Sequence, residues 1–193
     1  MIQGFVSYVS CSAVGTALLF TSCASMDRGL DGKSGTKAPW VKDLQREVSA
    51  LGANNWIIVS ESAYPAPNHP AVRVVVADAS LPAVVAEVLD SIESEGHIWP
   101  KIFTSREFDH LDEEYAPGVE KLKAQCKAAF AGRDPQVVSA RTINTLVTSA
   151  MDDYRVLLVK SSSAYPYCSV FMQLDSGYWN GKSEQALRKR MEP

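Results

Sequence analysis

The sequence predicts an α/β fold, a mostly parallel sheet flanked by helices in one domain, and three observations predict it. Stripes of helical periodicity alternate with short apolar runs. The runs at 55–60 and 72–78 are nearly continuous in Ile, Val and Trp, the mark of strands covered on both faces. Most connections are long enough to hold a helical crossover, which parallel neighbours require.

In chain order, Trp40, Val41, Leu44, Val48 and Leu51 share one helical face, with Pro39 ahead and Gly52 behind as punctuation. The strand at 55–60 follows, then the one at 72–78. Val84, Val85, Val88, Leu89 and Ile92 form the stripe of a helix over 81–96. The run 98–105 reads as a strand that Pro100 confines to an edge or an irregular piece. A polar stretch leads to a helix over 117–132 with Gly132 at its C-terminal end. A short strand at 136–140, a helix at 142–153, strands at 154–160 and 168–177, and a final helix at 183–191 with Ser183 as N-cap complete the domain. Only seven residues, 161–167, join the last two strands. That excludes a parallel crossover and predicts either an antiparallel pair or membership of different sheets.

The chain has 193 residues, 46% of them apolar and 21% charged, with a net charge of −3. This suits one domain with a substantial core and gives no basic footprint for nucleic acid. The first 23 residues carry no charge and read as a secretory signal peptide with small residues near its end. Its "LLFTSC" segment resembles a bacterial lipobox with Cys23 as the lipidated residue, although "MIQGF" lacks the usual Lys or Arg. Residues 24–39 are polar and glycine-containing, a tether to the folded domain at 40–193. The expected location is outside the cytoplasm, on a membrane only through a lipid anchor. Without the signal it would be cytoplasmic. Cys126 and Cys168 fall in the domain, either as a disulfide or as two buried thiols.

The ligand crevice of such a sheet lies outside the carboxyl ends of its strands. Glu61 stands there after the first strand, His69 in the proline-rich loop beyond it, Asp78 after the second strand, and Tyr167 behind Pro166. Each has an ordinary structural role open to it. Glu61 can cap a turn, His69 can sit exposed in its loop, Asp78 can cap the helix at 81–96, and Tyr167 can pack in the core. No G-x-G-x-x-G, P-loop, G-x-S-x-G or H-E-x-x-H occurs, and His69, His97 and His110 are too dispersed to suggest a metal site.

Three segments together resemble the RbsD/FucU family of D-ribose pyranases and L-fucose mutarotases: "LGANNWIIVSESAYP", "VRVVVADASLPAVVAEVL" and "YPYCSVFMQLDSG". The likeness runs from about Val41 to Gly177. It implies an RbsD/FucU-like domain that interconverts sugar ring forms without a cofactor, in a homo-oligomer with its site near a subunit boundary. Ring opening needs one group to protonate the ring oxygen and another to take the anomeric proton. On this chain the family's sugar-binding Asp falls on Glu61, its Tyr on Tyr167 and its Asn on Ser169. Its second basic residue falls nearest to Arg141, a few residues off. Its catalytic His falls on Ala53, which moves no proton, and leaves His69 and Tyr167 as acid–base candidates. The expectation is a monosaccharide-binding protein, with mutarotase activity in an altered form. The alternative is a non-catalytic exported scaffold that keeps the oligomeric fold.

Overall fold

A computed structural model describes residues 37–192. The expected signal peptide, the lipobox Cys23 and most of the tether lie outside the described residues. Twelve elements follow in order: α1 (Pro39–Ser49), β1 (Trp56–Ser60), β2 (Val72–Val76), α2 (Leu81–Glu95), β3 (Ile98–Ser105), α3 (Arg106–Asp109), α4 (Val119–Ala129), β4 (Gln136–Val138), α5 (Ala140–Ala150), β5 (Val156–Lys160), β6 (Val170–Ser176) and α6 (Gly181–Met191). The strands form one six-stranded sheet in the order β2-β5-β1-β6-β3-β4. Pairs β1–β5, β2–β5 and β3–β4 are parallel, and β6 runs antiparallel to both β1 and β3.

The sheet divides the core into two layers. Ile57 and Val59 of β1 pack on one face with α1, α2 and α4, through Leu44, Val48, Val85, Val88 and Leu122. Trp56 and Ile58, pointing the other way, pack with Ile143 and Val147 of α5. A strand buried on both faces must be apolar throughout, which is why β1 reads Trp-Ile-Ile-Val. The second face has α5 as its packed helix, and the space beside α5 becomes the cleft described below.

Four sequence expectations are corrected. β2 is not covered on both faces: it lies at the sheet edge, and Val76 is 71% exposed. β5 and β6 share one sheet without pairing, because β1 lies between them. Asp78 is exposed and does not cap α2, whose Leu81 N–H instead donates to Ser163 Oγ at 2.9 Å. Asn180, rather than Ser183, caps α6 by accepting from the Lys182 and Ser183 amides. β3 is a regular strand between β6 and β4, and it accommodates Pro100 because that residue is paired on one side alone, with Leu174 of β6, while β4 reaches only Phe103–Ser105. Gly96 closes α2 in the left-handed region at φ 67°, where a side chain would be strained. Cys126 and Cys168 are free and buried. Among the described residues no helix is long and apolar enough to cross a membrane.

Candidate functional site

Register brings three strand ends to one edge. Val59 of β1 faces Val170 of β6, and Thr104 of β3 faces the same Val170 from the other side. One step further, Ser60 and Ser105 flank Ser169. Glu61, next in the chain, comes off the end of β1 beside it. Ser169 Oγ donates to Glu61 Oε2, joining the carboxyl end of β1 to the start of β6. Ser169 is only 4% exposed, so its hydroxyl is a fixed donor that aims the carboxylate.

These groups open into a cleft of about 520 Å³, within the usual range for small-molecule sites. Its polar side is Glu61, Ser169, Ser105 and Tyr167. The loop after β1 adds Tyr64, and α5 adds Asn144 and Thr148. Val147, Met151 and Phe171 supply apolar surface. Tyr64 packs edge-on against Phe171, ring centroids 6.1 Å apart. Burial, and then the neighbouring Glu61 charge, push the Tyr64 phenol above its ordinary range, so it stays a protonated donor.

Tyr167 is held in an unusual backbone state. Its φ is 59°, a left-handed conformation that is an outlier for a bulky residue. Ser105 stabilises this turn: its hydroxyl donates to the Tyr167 carbonyl at 3.2 Å and accepts from the Phe108 amide at 3.1 Å. One serine therefore caps α3 and pins the turn that presents Tyr167, whose side chain stays half exposed at the cleft mouth. The α5 wall is fixed similarly. Ser139 Oγ accepts from the Thr142 amide, and Glu107 Oε2 accepts from the Ala140 amide at 2.9 Å. That contact, at the helix N-terminus, holds the Glu107 carboxyl below its ordinary range.

Glu61, Tyr167 and Ser169 thus line one cleft within the chain. Arg141 does not line it; it lies on α5 in an adjoining groove that Tyr167 also borders. His69 does not line it either, and its Nδ1 accepts from the Ala71 amide at 3.2 Å. His69, expected from the sequence to be an acid–base candidate, thus lies outside the residues that line this cleft. Ala53 precedes β1 at the opposite end, the whole strand away, roughly 17 Å at the usual rise per residue. Sequence reasoning missed Tyr64, Ser105, Asn144 and Thr148. The strand-end rule that selected Glu61 applies equally to Ser105, the last residue of β3. For Asn144 and Thr148 the available signal is their i, i+4 spacing on a helix otherwise rich in Thr.

No protein-family model matches the chain, and no curated protein does. Among solved structures, it is similar to Bacillus subtilis RbsD complexed with D-ribose, at 13% identity and a TM-score of 0.49, over 74% of this chain and 96% of that one. It is also similar to the fucose mutarotase from Streptococcus pneumoniae in complex with L-fucose, at 12% identity and a TM-score of 0.42, over 70% and 91%. FucU from Bifidobacterium longum aligns at 14% identity and a TM-score of 0.40, over 70% and 96%.

Proposed function

We propose that the chain binds a monosaccharide in the cleft between Glu61, Tyr167 and α5. The observation that carries this reading is the Glu61–Ser169 pair lining, together with Tyr167, a small, partly apolar space. A carboxylate with two acceptor oxygens takes two neighbouring sugar hydroxyls. Serine, asparagine and threonine both donate and accept, matching hydroxyls that do the same. The aromatic and aliphatic surface of Tyr64, Phe171 and Met151 suits the C–H face of a ring.

Ring opening at this site is a second reading, favoured by one feature: a carboxylate and a protonated phenol border the same space. Glu61 would take the proton of the anomeric hydroxyl as the bond from C1 to the ring oxygen breaks and C1 becomes a carbonyl. A tyrosine hydroxyl would give the ring oxygen its proton, and closure on either face would return both. A phenol is a weak acid near neutral pH, so this exchange would be slow. The cleft asks for no cofactor in either reading. We propose in addition that the protein is exported, lipidated at Cys23 and assembled from several copies. Metabolic labelling with a fatty-acid analogue, lost in Cys23→Ser, tests the anchor, and light scattering tests the assembly.

Saturation-transfer NMR with a panel of aldohexoses, aldopentoses and 6-deoxyhexoses tests the main proposal. At least one should receive saturation from the protein and be displaced by excess of itself. Silence across the panel would overturn the proposal.

A further inference from the structure

The cleft continues past Tyr167. Beyond that ring, a shallow, open groove runs along α5 and shares Tyr167, Asn144 and Thr148 with the cleft. Its own residues are Glu107 and, spaced four apart and therefore on one helical stripe, Arg141, Thr145 and Ser149.

The chemistry of that stripe is unusual for a solvent-facing helix. Exposed helix positions favour Lys, Glu, Gln and Ala, which have high helix propensity. Here they are Thr, Asn and Ser, each several tenths of a kcal/mol poorer, because their short polar groups compete for the backbone. Thr145 Oγ1 turns back to the Arg141 carbonyl at 3.0 Å. The Asn144 amide, the Thr148 and Ser149 hydroxyls and the Arg141 guanidinium find no side-chain partner among the described residues, and all four residues are exposed. Apart from Arg141 and Glu107, the groove is a row of neutral donor–acceptor groups, with a half-exposed aromatic ring at the junction with the cleft. A charged peptide or nucleic acid would find one free cation. A chain of hydroxylated rings would find a matching partner at each step.

We propose that this groove is a second sugar subsite and that the physiological ligand is an oligosaccharide: one ring in the Glu61 cleft, the next along α5, with Tyr167 between them. This rests on the reading of the cleft as a sugar site and extends its substrate class.

Titration calorimetry of the full chain compares glucose, galactose and mannose with maltose, cellobiose, lactose and mannobiose. The result expected is at least one disaccharide binding tenfold or more tighter than its component monosaccharides. The variant Thr145→Leu/Ser149→Leu fills the groove with residues of better helix propensity, so folding is retained. It should lower disaccharide affinity to the monosaccharide level and leave monosaccharide affinity unchanged. Monosaccharide binding without a disaccharide gain overturns the second subsite and leaves the cleft reading standing. A gain that survives the double variant also overturns it, because the second ring then lies elsewhere. Binding of none of these sugars overturns the second subsite, and silence of the aldopentoses and 6-deoxyhexoses as well overturns the cleft reading with it.

Discussion

Ser169 Oγ donates to Glu61 Oε2 across 108 positions of sequence, and this one contact locks the exit of β1 to the start of β6. It exists because β6 runs antiparallel to β1, so the carboxyl end of one strand meets the amino end of the other. The bond orients the carboxylate toward the cleft. Ser169→Ala should therefore weaken sugar binding by about tenfold, the worth of one hydrogen bond to a charged group at the lower end of its range. Titration calorimetry reads this directly, and Ser169→Thr, which keeps the hydroxyl, should recover part of the loss.

Tyr167 pairs a strained backbone with an exposed side chain. A left-handed conformation costs a non-glycine residue about 1–2 kcal/mol, of which glycine's extra unfolded-state freedom takes back about 0.5–1. Tyr167→Gly should leave the fold as stable or stabilise it by up to about 1 kcal/mol in urea unfolding, while ligand binding is lost. A clear loss of stability would show that the ring, rather than ligand recognition, is what the turn serves.

The two domain thiols predict an alkaline limit to stability. Burial pushes Cys126 up from 9.0 to about 11. Burial first, and then the Glu61 and Cys126 charges, push Cys168 from 9.0 to about 12. The unfolded chain releases both protons near pH 9, whereas the folded chain keeps them. The stability they contribute is present below pH 9 and falls as pH rises through about 11 and then about 12. Denaturant melts between pH 8 and 11 should show the decline, and Cys168→Ala should flatten it. Both thiols should also resist an aromatic disulfide reagent at pH 8 until the protein unfolds.

Ser60 is fully buried, and its hydroxyl has no hydrogen-bond partner among the described residues. An unsatisfied buried polar group costs about 1–3 kcal/mol. Ser60→Ala should raise stability by about 1 kcal/mol in urea unfolding. The same change in Ser161, whose hydroxyl donates to the Ser60 carbonyl at 2.8 Å, should lower it.

How much of this was legible in the sequence depended on whether the signal was local. β1 and α2 were legible because burial writes itself into composition and periodicity within a few residues. Strand order was not. "VRVVV" carries the hydrophobicity of an inner strand, yet its neighbours place it at the edge with Val74 and Val76 open. The seven-residue link between β5 and β6 limited direction but said nothing of β1 inserting between them. In the cleft, Glu61 stood out because it ends an apolar run, and Tyr167 because Pro166 precedes it. Ser105 and Tyr64 did not, since a serine ending a strand and a tyrosine in a proline-rich loop become distinctive only when register gathers them. His69 drew notice as a titratable group near Glu61 in sequence. The loop instead turns its ring back onto the Ala71 amide.

The most direct test of the central claim is sugar titration of the wild type beside Glu61→Gln and Tyr167→Ala. The account predicts saturable binding of one monosaccharide to the wild type. It also predicts a fall in affinity of about tenfold or more in Glu61→Gln, the worth of hydrogen bonds to a charged acceptor, and a comparable fall in Tyr167→Ala. Unchanged affinity in both variants would contradict it, since the sugar would then be held somewhere other than the cleft these two residues share.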